Sequence, residues 1–148
     1  MAGKQPKKKP RDGMDGLGRT PLHYACVDGR SEDVAQLLAS GLDANAQDDN
    51  GCSPLHFAAQ AVSLECLTLL IRAGASVSLQ DSFGNTALWR AVFSSKGNGA
   101  AISMLRQAGA DPHAKNEHGV SPLSLARTIG NYDVAQFFAD LPPSDDVA

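Results

Sequence analysis

His23 and Cys26 stand three residues apart, one helical turn, a spacing at which an imidazole and a thiol can meet as base and nucleophile. His56 repeats the first half of that pair without the second, since Ala59 stands where Cys26 does. His113 and His118 lie five apart in a connecting stretch. Two imidazoles with no cysteine near them in sequence fall short of the tetrahedral set that zinc takes. No phosphate-binding loop, no paired acids with supporting residues and no Gly-x-Ser-x-Gly elbow occurs. The chain therefore reads as non-enzymatic, with no catalytic residue, no metal ligand and no cofactor.

Composition narrows what can position such side chains. The 148 residues are 43% apolar and 20% charged, which suits one soluble domain, while the longest apolar runs, such as Leu67 to Ile71, are far too short to cross a bilayer. Aromatics make up only 5%, so the core must come from Leu and small residues in thin, closely packed elements. Cys26, Cys52 and Cys66 are odd in number and not closely paired, which argues for reduced thiols and a cytoplasmic location. Lys4, Lys7, Lys8, Lys9 and Arg11 put +5 into the first eleven residues, so a net charge of −3 leaves −8 on the rest. An acidic body is repelled by a phosphate backbone, which excludes nucleic-acid binding through the body. The basic segment lacks the apolar stretch of a secretory signal, and Pro6 and Pro10 oppose helix there, so residues 1–11 are expected to be a disordered arm. Residues 142–148, with paired prolines and Asp145-Asp146, read as an acidic tail.

The elements come from an internal repeat. Asp15-Gly16-Leu17-Gly18-Arg19-Thr20-Pro21-Leu22-His23 recurs as Asp48-Asp49-Asn50-Gly51-Cys52-Ser53-Pro54-Leu55-His56, as Asp81-Ser82-Phe83-Gly84-Asn85-Thr86-Ala87-Leu88-Trp89, and as Asn116-Glu117-His118-Gly119-Val120-Ser121-Pro122-Leu123-Ser124. The marker glycines are 33, 33 and 35 residues apart. Thr20-Pro21, Ser53-Pro54 and Ser121-Pro122 each place a hydroxyl N-cap before a proline at the first helical position, where its missing N–H costs nothing. A second helix follows, with Val34, Leu37 and Leu38 on one face in the first copy and Leu64, Leu67, Leu70 and Ile71 in the second, stopping at Gly41 and Gly74. The leading Asp or Asn of each copy can hydrogen-bond its own turn. Helix pairs this short cannot bury their apolar sides alone, so they must stack.

Through these residues, Thr20-Pro21-Leu22-His23 and Ser53-Pro54-Leu55-His56 above all, the sequence resembles the ankyrin repeat family over residues 12–141. The resemblance implies an all-α solenoid of four stacked helix-turn-helix repeats with short β-turn fingers, at about residues 15–47, 48–80, 81–115 and 116–140, the last truncated. It implies that Thr20, Pro21 and Pro54 start helices and that His23 and His56 bridge backbone groups of adjacent turns. Trp89 fills that histidine slot in the third copy and Ser124 holds it in the fourth, while Cys26 takes a small buried position.

The family binds partner proteins on a concave face of finger tips and first helices, so the expected function is non-catalytic protein binding by a monomer. On the matching positions lie Asp49 and Asn50 in the second copy, Phe83, Asn85, Arg90 and Phe93 in the third, and His118 in the fourth. Phe83, Trp89 and Phe93 concentrate three of the eight aromatics within eleven residues, and aromatics with Arg dominate binding hot spots. The third copy also carries the insertion Ser94-Ser95-Lys96-Gly97-Asn98-Gly99, and insertions in repeat arrays map to loops. The stretch from Asp81 to Phe138 is similar to small bacterial ankyrin proteins, some of which are immunity proteins that neutralise a toxin. A regulatory or scaffold adaptor, addressed by its basic arm, is the other reading.

Overall fold

The computed structural model describes residues 14–142. The basic arm and all but the first residue of the acidic tail lie outside the described residues. Among those described are seven α-helices: α1 (Pro21–Val27), α2 (Ser31–Ala39), α3 (Pro54–Gln60), α4 (Leu64–Arg72), α5 (Ala87–Ser94), α6 (Ala100–Gln107) and α7 (Pro122–Thr128). A 3₁₀ helix, Val134–Phe138, closes the chain.

The first helices start where the hydroxyl residues place them. Thr20, Ser53, Thr86 and Ser121 all have extended backbone, and Ser53 Oγ, Thr86 Oγ1 and Ser121 Oγ accept from the N–H three residues on. Pro21, Pro54 and Pro122 occupy the first turn. Along each first helix one leucine is buried, Leu22, Leu55, Leu88 and Leu123, followed three residues later by a buried alanine, Ala25, Ala58, Ala91 and Ala126. The alanines let neighbouring first helices approach closely, so α1, α3, α5 and α7 form an inner row, with α2, α4 and α6 as an outer row packed on it. Val34, Leu67, Leu70, Ile102 and Leu105 fill the space between the rows. The core therefore runs the length of an all-α repeat solenoid, with each layer touching its neighbours.

Two details differ from the repeat pattern. Leu64 lies at the start of α4 with more than a third of its surface exposed, outside the apolar stripe assigned to it. The fourth unit forms a five-residue 3₁₀ helix where the others have an α-helix. Its linker is one residue shorter, Gly119 to Asp133 against Gly18 to Asp33, and Ile129 is already extended, so the chain arrives without room for another α-turn. Phe138 still enters the core. The inserted turn after α5 lies against this last unit: a Cβ on Gly99 would sit 2.2 Å from the Phe137 ring, and one on Gly97 would sit 3.0 Å from Tyr132.

Candidate functional site

Each finger is built by one polar side chain folding its own turn. Asp15, Asp48, Asp81 and Asn116 Oδ1 accept from the N–H groups two and four residues on, at 2.8–3.0 Å. Successive fingers are then stitched together. The Asp49, Ser82 and Glu117 N–H groups donate to the Leu17, Asn50 and Phe83 carbonyls at 2.9, 2.8 and 3.0 Å. Gln47 Nε2 donates to the carbonyls of Gly51 and Gln80, and Gln80 Nε2 does the same with Gly84 and Lys115. These turns form no strand among the described residues. Their edge-to-edge hydrogen bonds nevertheless hold the tips Leu17, Asn50, Phe83 and His118 in one row.

The histidines face inward. His23 Nδ1 accepts from the Thr20 N–H at 3.0 Å and Nε2 reaches the Cys52 carbonyl at 2.9 Å; His56 Nδ1 accepts from Ser53 N–H at 3.1 Å and Nε2 reaches the Asn85 carbonyl at 2.8 Å. Each ring thus accepts within its own unit and donates to the next one, the pattern of a neutral imidazole carrying its proton on Nε2. Burial pushes both imidazoles below their ordinary pKa. Burial also raises the Cys52 thiol and pushes the Cys26 thiol up to about 12, far from thiolate nucleophile chemistry. Ser124 Oγ donates to the Ser121 carbonyl in its own turn. Trp89 has the histidine's place on α5, but its Nε1 is buried with no hydrogen-bond partner.

Beside the histidines runs a ladder of arginines and aromatic rings that the repeat pattern does not announce. The Arg19 guanidinium lies 5.9 Å from the Tyr24 centroid and 5.2 Å from Phe57, and the Arg90 guanidinium lies 5.9 Å from Phe57 as well. Buried carboxylates anchor both arginines: Arg19 Nε donates to Asp48 Oδ2 at 3.2 Å and Arg90 Nη2 to Asp81 Oδ2 at 2.9 Å. Tyr24 donates to Asp15, which holds the Asp15 carboxyl below its ordinary range. Arg90 also donates to Gln60 Oε1 at 3.0 Å and lies 2.9 Å from Cys52 Sγ. Its charge is thus paired by Asp81 within its own unit and its other contacts join α5 to the preceding unit, whereas the sequence alone suggested a partner contact. Asn85 likewise turns to its neighbour, its Oδ1 accepting from Asn116 Nδ2 at 2.9 Å.

What faces outward is smaller and more apolar. Phe83 at its finger tip is 56% exposed and Phe93 on the last turn of α5 is 68% exposed, with Phe93 stacked on Trp89 at 5.5 Å and 10°. Leu17, on the first tip, is 50% exposed. Asp49, Asn50 and His118 are exposed on the second and fourth fingers flanking Phe83. His118 lies 3.9 Å from Glu117. Among the described residues no three His, Cys, Asp or Glu side chains converge as a metal site. No described helix is long and apolar enough to cross a membrane.

Sequence reading passed over Tyr24, Phe57, Gln47 and Gln80. The glutamines carried a signal, since Gln47 and Gln80 are 33 residues apart at equal places in their units. The ladder carried none, because its members change type from one copy to the next. Among curated proteins no match was found. The family model for ankyrin repeats, in three copies, matches residues 22–116, well over half of the chain. With the stacked helix pairs, stitched fingers and bridging histidines already in place, that match settles the family: the chain belongs to the ankyrin repeat proteins.

Proposed function

We propose that this protein is a non-catalytic binding module, a cytoplasmic monomer that captures a partner protein on the face formed by its finger tips and first helices. Ankyrin repeats are in general protein–protein interaction modules, which supports the class of function. The observation that carries the site is the pair of large aromatic side chains left mostly in water on one unit, Phe83 and Phe93. Beside them Arg90 and Asn85 are engaged with side chains of this protein, so the two rings are the large groups this unit offers outward. Asp49, Asn50 and His118 form the polar rim, and rim groups set specificity more than affinity. Arg90, Asn85, Thr20, Pro21, Pro54, His23 and His56 hold the surface in shape from beneath.

The test is a double substitution, Phe83→Ala with Phe93→Ala. Proteins retained from a native extract by the wild-type chain are expected to bind the variant at least about tenfold more weakly, the scale of two hot-spot aromatics. Helicity and melting should stay nearly unchanged, because neither ring fills the core. Unaltered affinity would move the site elsewhere on the stack.

A narrower reading is an immunity protein that occludes a toxin, supported by the −8 carried outside the basic arm, which would complement a basic toxin surface. Full toxin activity on co-expression would remove it. The adaptor reading depends on residues 1–11, which lie outside the described residues.

A further inference from the structure

We infer that the groove between α2 and α4, on the outer row of helices, is a second docking surface, and that its occupant is a basic amphipathic helix of a partner protein. This goes beyond the proposed finger-and-first-helix site and does not depend on it. The groove has a volume of about 440 Å³ and an almost wholly apolar wall, formed by Ala35 of α2 with Leu64 and Leu69 of α4. Ala35 and Leu64 are exposed, Leu64 by 37%, so this wall faces water in the free protein. An apolar side chain seated there would recover the cost of that exposure.

Charge selects the occupant. Glu32 and Glu65 line the same groove from the first turns of α2 and α4, and both are exposed. Among the described residues neither has a cationic partner: Glu65 accepts from Ser31 Oγ at 2.7 Å, and Arg30, just before α2, is held by Asp28 and Asp33 at 3.6 and 2.7 Å. Two uncompensated carboxylates beside an apolar wall favour a ligand that brings a cation with its apolar group. The neighbouring groove between α4 and α6 is lined by Arg72 and by no acid, which confines a basic ligand to the first. A helix suits the wall better than an extended segment, because apolar side chains offer no backbone edge to pair with and a helix satisfies its own N–H and C=O groups. Its apolar stripe enters the groove, and a Lys or Arg one turn away meets Glu32 and Glu65. The chain's own residues 1–11 match the carboxylates but not the wall, since beside their five cations Met1 is the one large apolar side chain.

The probe is a helical peptide selected from a randomised display library on the full chain carrying Phe83→Ala with Phe93→Ala, so that the finger face cannot drive the selection. The selected peptides are expected to carry Lys or Arg one turn from Leu, Ile or Phe, and on the wild-type protein to shift the amide resonances of α2 and α4 above all others. Glu32→Gln with Glu65→Gln, an exposed change that should leave melting nearly unaltered, is expected to weaken binding about three- to tenfold, and Leu64→Ser about fivefold. Recovery of no peptide, resonance shifts centred outside α2 and α4, or undiminished affinity in the double glutamine variant overturns the inference. If deleting residues 1–11 by itself shifts the α2 and α4 amides, the arm is the occupant and the partner helix is overturned. The finger site is tested by its own pair of phenylalanine substitutions, so either reading can fail while the other stands.

Discussion

The buried histidines and cysteines show how single residues here serve the stack. His23 and His56 each use one nitrogen as acceptor and the other toward the next unit, so a proton added to Nδ1 would cost the ring the backbone N–H bond it accepts. Their pKa values are held below the ordinary 6.5 by burial, so on acidification the unfolded chain takes up protons first. Stability is therefore complete above pH 6.5 and declines as the pH falls from there toward the folded-state values, which urea denaturation across that range will show. Replacing His56 with Ala strands the Ser53 N–H and opens a cavity, an expected loss of about 2–3 kcal/mol in the same measurement. The thiols give a complementary prediction. With Cys26 pushed up to about 12, Cys52 also raised and all three cysteines buried, a thiol reagent at neutral pH should label the native protein far more slowly than the denatured one. Rapid native labelling of Cys26 would contradict the packing of α1.

Fingers and helix pairs are the next scale, and there the glycines separate local strain from contact between units. Gly84 and Gly119 share a left-handed backbone, φ +80 and +77, but differ in their surroundings: a Cβ on Gly84 would lie 2.9 Å from the Glu117 backbone nitrogen, whereas one on Gly119 meets nothing within 4 Å. Both alanine variants lose about 1 kcal/mol or more to backbone strain, and Gly84→Ala is expected to lose at least about 1 kcal/mol beyond Gly119→Ala because the fingers must part. Equal losses in denaturant would mean that the stitching between fingers contributes little. Much at this scale was readable in advance. Hydroxyl-proline starts, the turn-forming Asp and Asn residues and the small residues of the first helices repeat in register, and a feature that repeats announces itself. The Tyr24–Arg19–Phe57–Arg90 ladder was hidden because it alternates residue types between copies, and its pairing is set by which side chains the stack brings face to face. Arg90 was assigned outward for that reason, since an arginine at an inner-helix position gives no sign that an aspartate waits beneath it. Phe83 and Phe93 were legible as large apolar groups at positions the pattern leaves outside. The orphaned Trp89 Nε1 was not legible, because only geometry shows that the indole takes the histidine's place without its bond.

Across the whole molecule the junctions between units are unequal. The first and second are each closed by a histidine bridge, a backbone bond between fingers and an arginine contact, Arg19 to Asp48 across the first and Arg90 to Gln60 and Cys52 across the second, while the third keeps the finger bond and lacks the bridge. Beyond it lies a unit whose second helix is a short 3₁₀ segment, tied back by Arg106 to both Asp140 carboxylate oxygens and the Phe137 carbonyl. In a stack that holds together layer by layer, opening begins where the interface is poorest. Amide exchange is expected to be fastest over residues 122–142, with Arg106→Ala widening the gap; faster exchange in α1 and α2 would reverse this order. The matching bridges have a further consequence. His23 meets Cys52 and His56 meets Asn85 at the same separation of 29 residues, and Leu17 meets Asp49 and Asn50 meets Ser82 at 32. The second unit thus carries both a socket for the unit before it and a plug for the one after it, in the same register. A tandem duplication of its coding segment would insert a layer whose plug and socket both fit, lengthening the array by one finger without disturbing either end. The third unit has a socket but, with Trp89 in place of the histidine, no matching plug, so the chain can grow from its middle and is closed to extension by that route at its C-terminal end.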